Sequence, residues 1–312
     1  MSVSRLPSSI EQVSLLEAVD AFLAERDLAA SSRVKYRATL QALAGELGAE
    51  APVVDVTGRQ LVAFMGRWSK ASPATWNRHR ATLRSFFAYC RRQRWVIDDP
   101  SEATERRRDP EDRTRAIAYP ELERLWARRD VALRERALWR LLYETAGRAN
   151  EILALDVDDV DLANRRAVVI SKGGAREFVH FQAGSARLLA RLMAGRRKGP
   201  VFLATKRPAP ARAPASADVD ALSGRARLSY RRAAELFGEH SSGRTLHQLR
   251  HSALTDLAEA GVGLPLLMAK SRHKSLRTLQ RYAKPGPQAV AALTAAHDPE
   301  RRRRASVDGF RS

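Results

Sequence analysis

Arg148, Lys172, His247, Arg250 and His273 lie in this order ahead of Tyr282. The densest part is His247-Gln248-Leu249-Arg250-His251, and His273 precedes Tyr282 by nine positions. Two arginines, a lysine and two histidines can hold one phosphate diester and stabilise its pentacoordinate transition state. A tyrosine oxygen can attack that phosphorus. The chemistry is phosphodiester exchange through a covalent intermediate.

Each residue also has a plainer reading. On a helix His247, Arg250 and His251 share one face. A zinc pair on such a face wants Glu directly after the first histidine, and Gln248 stands there instead. His251 suits core packing or a hydrogen bond that supports the site. Arg148 lies in Thr145-Ala146-Gly147-Arg148-Ala149-Asn150-Glu151, where Gly147 lets the backbone turn before a helix. Glu151 can hold a basic neighbour in place. Lys172 at a hairpin tip is either a polar turn residue or a proton donor to a leaving oxygen. Tyr282 is either a packed aromatic or a nucleophile near a helix end set by Pro285-Gly286-Pro287. Singly these residues say little; their weight lies in the set.

The elements that must position them come next. The chain has 312 residues, enough for two cores, and its apolar fraction of 44% is ordinary. The net charge of +20, with 55 Lys and Arg, is not. It favours a polyanion, nucleic acid before an anionic membrane surface, against the alternative of a merely solvated basic surface. Cys90 is the single cysteine, so an intrachain disulfide is excluded, and it reads as a small core residue. No apolar run reaches membrane-spanning length and no signal-like segment opens the chain, so a soluble, cytoplasmic protein is expected. Neither a P-loop nor a carboxylate cluster for a two-metal nuclease is present; no metal and no cofactor are expected.

Residues 12–100 read as a helical bundle. Leu15, Leu16, Val19, Phe22 and Leu23 repeat at helical spacing. Ser31 or Ser32 can cap a second helix, Thr57 with Gln60 forms a capping box for a third, and Ser72-Pro73 starts a fourth. That fourth helix carries Trp76, Leu83, Phe86, Phe87 and Cys90 on its apolar side. Its other side holds Arg78, His79, Arg80, Arg84, Arg91, Arg92 and Arg94; among these Arg78, Arg80, Arg84 and Arg91 are the candidate DNA contacts. Residues 101–114 read as an exposed linker. A second domain over 115–290 starts with helices around Leu122 and Leu138. A β-hairpin of Ala167–Ile170 and Arg176–Phe181 follows, turning at Ser171-Lys172-Gly173-Gly174. Further helices are predicted near 185–194, 225–237, 246–260, 264–270, 275–282 and 288–297. Residues 205–218 form a surface loop, and 291–312 a terminal segment with a basic tail. The class is mainly α with a small β component (α+β).

With these residues in place, the chain resembles the tyrosine recombinases, or lambda-integrase family, over about residues 12–290. Thr145–Glu151 is similar to the family's first arginine motif, Ser171–Gly174 to its hairpin lysine, and His247–His251 to its His-x-Leu-Arg-His box. His273 to Tyr282 keeps the family spacing. Two departures stand out. Ser271-Arg272 replaces the usual Leu-Gly before the late histidine, and Ala146-Gly147 replaces Gly-Leu. If position 272 needs a left-handed backbone, arginine there costs about 1 kcal/mol.

The resemblance implies a helical core-binding (SAM-like) domain, then a mixed catalytic domain. It implies a site-specific recombinase that works through a 3′-phosphotyrosyl intermediate, Xer-like or a mobile-element integrase. In that scheme Arg148, Arg250 and His273 bind the phosphate, Tyr282 attacks, His247 relays the proton and Lys172 protonates the leaving 5′-oxygen; Glu151 and His251 support them. Double-stranded DNA with specific sites is the implied partner, bound by two domains that clamp it like a C. A tetramer assembles on it through residues 283–297, with a second recombinase or accessory factor as a further partner and nucleoid association when bound. The absence of a preceding arm-binding domain favours the Xer-like architecture. The alternatives are type IB topoisomerase-like strand swivelling and a DNA-binding regulator that does not cut.

Overall fold

The computed structural model describes residues 13–108, 116–171, 174–209, 211, 214–273, 275, 279 and 294–295. The chain divides into two compact units, Met1–Asp112 and Arg113–Ser312. It is mainly α-helical with one small antiparallel sheet.

The first unit contains α1 (Leu15–Glu25), α2 (Ala30–Leu47), α3 (Gly58–Met65) and α4 (Pro73–Arg92). Ser14 and Glu17 close a capping box on α1, and Thr57 and Gln60 close the expected one on α3. Ser72 caps α4 by accepting from the Thr75 amide at 3.3 Å, with Pro73 at the first position. The second helix departs from the reading. It begins at Ala30, before either serine, and has no side-chain cap because its N-cap is Ala29, whose methyl group can accept no hydrogen bond. Ala18, rather than the half-exposed Leu16, completes the buried stripe of α1. Phe22 anchors the core, with ring centroids 5.6 Å from Phe86 and 5.5 Å from Tyr89. Cys90 is buried there, and burial pushes its thiol up to about 12.

The stretch after this core is not an exposed linker throughout. Ser101 and Thr104 are buried, and Trp76, Asn77 and Arg80 of α4 bond the backbone of 104–107. Asn77 both donates to the Arg107 carbonyl (2.8 Å) and accepts from the Arg107 amide (2.9 Å), as a neighbouring strand would. Arg107 then stacks over Trp76 at 3.7 Å. Composition marked this segment as polar, but polar side chains can also saturate backbone groups.

The second unit opens with α5 (Tyr119–Ala127), α6 (Leu133–Thr145) and α7 (Ala149–Leu153). Then come β1 (Val160–Asp161), β2 (Arg166–Ile170) and β3 (Arg176–His180), in sheet order β1-β2-β3. The hairpin register pairs Ile170 with Arg176 and Val169 with Glu177. At its turn the Ser171 amide bonds to the Ala175 carbonyl at 2.8 Å, and Gly174 takes φ 83°. The short strand β1 was not anticipated, since two residues carry no alternation to read. Next are α8 (Ala183–Met193), α9 (Tyr230–His240), α10 (Leu246–Glu259) and α11 (Leu264–Ser271). Buried Glu144 of α6 starts α8 by accepting from the Gln182 and Ser185 amides.

The helix expected from 225 begins at Tyr230. Residues 226 and 227 lie in isolated bridges with Val219 and Leu203, and the Arg227 guanidinium binds the Leu153 and Leu155 carbonyls, Asp156 and Asp218. Those bonds need extended backbone there. The main core gathers Leu138, Trp139, Leu142, Val169, Val179, Phe202, Phe237 and Leu249. Of the helix predicted over 275–282 only Ser275 and Leu279 are described, and of that over 288–297 only 294–295. Among the described residues no helix is long and apolar enough to cross a membrane.

Candidate active site

Local structure explains how the candidate side chains are placed. Thr245 and Gln248 form the capping box of α10: the Thr245 amide donates to Gln248 Oε1 at 2.8 Å. Gln248, the residue that departs from a zinc-helix pattern, therefore serves to start the helix. Among the described residues no cluster could hold a metal ion. His247 lies exposed on the first turn, His251 half-buried one turn later, and Arg250 between them is 2% exposed.

Arg250 gathers three segments. Its Nη1 donates to the Ala146 carbonyl at 2.6 Å and its Nη2 to the Ser271 carbonyl at 2.7 Å. Nη2 also lies 3.2 Å from His273 Nε2. A left-handed residue ends the helix at each of these two segments. Ala146 ends α6 with φ 50°, and Arg272 ends α11 with φ 55°. Ser271 Oγ holds His273 Nδ1 at 2.7 Å and so fixes the ring.

The left-handed residue of the first motif is Ala146, not Gly147 as expected. Gly147 is needed for space: a Cβ there would sit 2.8 Å from two Ile152 side-chain atoms. Arg148 is the N-cap of α7. Its Nη1 pairs with Glu151 Oε1 at 2.7 Å, and its Nη2 donates to the Arg272 carbonyl at 3.3 Å. At 41% side-chain exposure it faces solvent, whereas Arg250 does not.

Three residues at this site escaped the sequence reading. Ser271 fixes His273. Arg272 binds Glu151, and its Nε lies 3.3 Å from Glu177 Oε2 on β3. Burial pushes the Arg272 guanidinium down; Glu151 and Glu177 oppose that shift and Arg148 adds to it. The signal for Arg272 was the departure from Leu-Gly, visible as a backbone cost but silent about where the side chain goes.

The structure thus brings Arg148, Glu151, Arg250 and His273 together through the carbonyls of 146, 271 and 272. Lys172 and Tyr282 lie outside the described residues. The basic side of α4 separates. Arg80, Arg84 and Arg91 share one face, while Arg78 points away from it. Arg80 Nε donates to the Thr104 carbonyl at 2.7 Å, and Arg84 lies 3.4 Å from Glu102 and 3.8 Å from Asp99. Arg78 and Arg91 are exposed. His79 stacks on Trp68 at 3.7 Å and bonds Thr39, inside its own unit.

The phage integrase family model matches residues 116–288, and the phage integrase N-terminal SAM-like domain matches 19–94. The chain is 29% identical to tyrosine recombinase XerC of Mycobacterium sp. (strain JLS), over 91% of this chain and 97% of the relative. It is also 29% identical to tyrosine recombinase XerD of Xanthomonas axonopodis pv. citri (strain 306), over 90% and 95%. A lambda integrase tetramer bound to a Holliday junction superposes with TM-score 0.67 at 17% identity, over 87% of this chain and 78% of that one. The Tn1549 transposon integrase in complex with circular intermediate DNA gives 0.65 at 14%, over 90% and 99%.

Proposed function

This chain belongs to the phage integrase family and is a site-specific tyrosine recombinase, which cleaves and rejoins DNA; on that premise we propose how its residues divide the reaction. The observation that carries the proposal is the meeting of Arg148, Arg250 and His273 around three inward carbonyls. Arg148 and Arg250 bind the non-bridging oxygens of one DNA phosphate, Arg148 from the solvent side. His273 adds a hydrogen bond to the charge that develops on them.

Tyr282 Oη forms a bond to phosphorus as the bond from phosphorus to the 5′-oxygen breaks. The phenol proton passes to His247, with His251 as its support. Lys172 gives a proton to the leaving 5′-oxygen, and the product is a 3′-phosphotyrosyl enzyme. The 5′-hydroxyl of a partner strand reverses these steps. One phosphodiester replaces another, so no nucleotide cofactor is needed to drive the exchange. Double-stranded DNA is the substrate, and four copies act on paired sites, each site with a defined sequence.

The test is covalent trapping on a library of nicked duplexes, followed by sequencing of the attached DNA. Adducts on a shared motif support this division of labour. Tight binding without adducts would identify a regulator that does not cut, and relaxation of supercoils without exchange a strand-swivelling enzyme.

Binding is expected to weaken steeply with salt. If about eight phosphates are neutralised, log K falls against log salt with a slope near about −7. Arg78 and Arg91 are exposed on different faces of α4, so replacing the one that meets DNA with Ala should flatten that slope by about one, whereas Arg80→Ala should chiefly loosen residues 104–107. A parental slope near zero, or an unchanged slope in Arg78→Ala and Arg91→Ala, would remove α4 from the DNA surface.

A further inference from the structure

Arg272 sits where its backbone disfavours it. Its φ of 55° suits glycine, yet the position carries a long cationic side chain that is 7% exposed. One end of that side chain binds Glu151 Oε2, and Glu151 Oε1 holds Arg148. The Arg272 carbonyl receives Arg148 Nη2 as well. The other end faces β3, where Nε lies 3.3 Å from Glu177 Oε2 without the alignment of a hydrogen bond. Nε, Nη1 and Glu177 Oε2 are all buried without a hydrogen-bond partner. Lys270, two residues earlier, reaches the same strand by donating to the His180 carbonyl at 2.9 Å.

A buried cation on a strained backbone with unfilled donors costs stability unless its connections matter. We propose that Arg272 is a positioning residue that ties the β2–β3 hairpin to Arg148, through Glu177 on one side and Glu151 on the other. Hairpin and phosphate-binding arginine then move as one body. The misaligned contact with Glu177 is a latch: a small shift of β3 completes the hydrogen bond from Nε to Glu177 Oε2 when DNA fills the site. This rests on the reading of Arg148 as a phosphate ligand.

The experiment uses the full chain and the nicked duplex recovered by trapping, with single-turnover adduct formation and DNA dissociation constants measured separately. Arg272→Gly relieves the backbone, so any loss belongs to the side chain. It is expected to slow adduct formation about a hundredfold, as small misplacements of catalytic groups do. The dissociation constant should stay within about twofold, since a cation already paired with two carboxylates displaces few counterions. Arg272→Lys keeps charge without the planar fork and should recover part of the rate. Glu177→Gln should slow the reaction too, and it decides the matter if Arg272→Gly does not fold.

Parental rates in Arg272→Gly, or in Glu177→Gln where the glycine variant cannot be read, would overturn the proposal. So would losses of rate that follow losses of affinity. If the parent forms no adduct, the reading of Arg148 fails first. The link itself is then read from urea unfolding of Arg272→Gly, Glu177→Gln and the double variant: midpoint shifts that fall short of additive support it, and additive shifts overturn it.

Discussion

Tyr282→Phe should reduce covalent adducts on duplex DNA by a factor on the order of 10⁴ or more while DNA affinity stays nearly intact. The substitution removes one oxygen and no cation. Affinity for a polyanion comes from Lys and Arg, which it leaves in place. The chain has six tyrosines, and two of the others illustrate why they make poor nucleophiles. Tyr89 is buried in the first unit and its hydroxyl is pushed up to about 12, chiefly by burial. The Tyr143 hydroxyl is committed to Asp256 at 2.5 Å, and burial and that carboxylate push its pKa up. Ahead of Tyr282 in the sequence, Leu279 is fully buried in a cluster with Ala146, Ala253, Leu254 and Leu267. Leu279 stands three positions before Tyr282 in the sequence. Denaturing gels of trapped complexes measure the effect. Undiminished adducts in Tyr282→Phe would move the nucleophile elsewhere.

The second large effect separates two arginines that look alike in sequence. Arg250→Ala should remove catalysis and also unfold part of the second unit, whereas Arg148→Ala should remove catalysis alone. The difference follows from burial: Arg250 is 2% exposed and donates to the Ala146 and Ser271 carbonyls, while Arg148 is 41% exposed at the side chain. Two buried acceptors left unpaired cost about 1–3 kcal/mol each, so Arg250→Ala should lose about 2–6 kcal/mol of stability. Arg148→Ala leaves Glu151 still bound to Arg272, so its cost should stay near 1 kcal/mol or below. Urea unfolding of the full chain followed by tryptophan fluorescence measures this; Trp126 and Trp139 lie in the core of the second unit. Equal stability of the two variants would contradict the bracing role of Arg250. Arg250→Lys should not restore it, because an ammonium cannot reach two carbonyls on separate segments with a guanidinium's geometry.

These expectations divide along a physical line. Residue types and order specified the chemistry, since holding and attacking a phosphodiester needs a particular set of donors and one oxygen. Hydrophobic period and capping signals specified most helices, because both act within a few residues. Thr57 with Gln60 and Ser72 with Pro73 behave as their local chemistry requires. The hairpin was legible for the same reason, its pattern and its turn lying within one short stretch.

What escaped depends on residues far apart in the chain. Arg227 holds residues 226–228 extended through bonds to Leu153 and Leu155, more than seventy positions away. Nothing in the sequence near Arg80 and Arg84 announced the partners that residues 99–104 supply to both. Arg272 read as a misfit before histidine, because nothing near it in sequence announces Glu151 or Glu177. The amino-acid sequence by itself determined which chemistry this protein performs and which local elements carry it. Only the tertiary structure decided which arginines stay exposed and which brace the fold, because that choice depends on burial and on carbonyls and carboxylates contributed by distant segments.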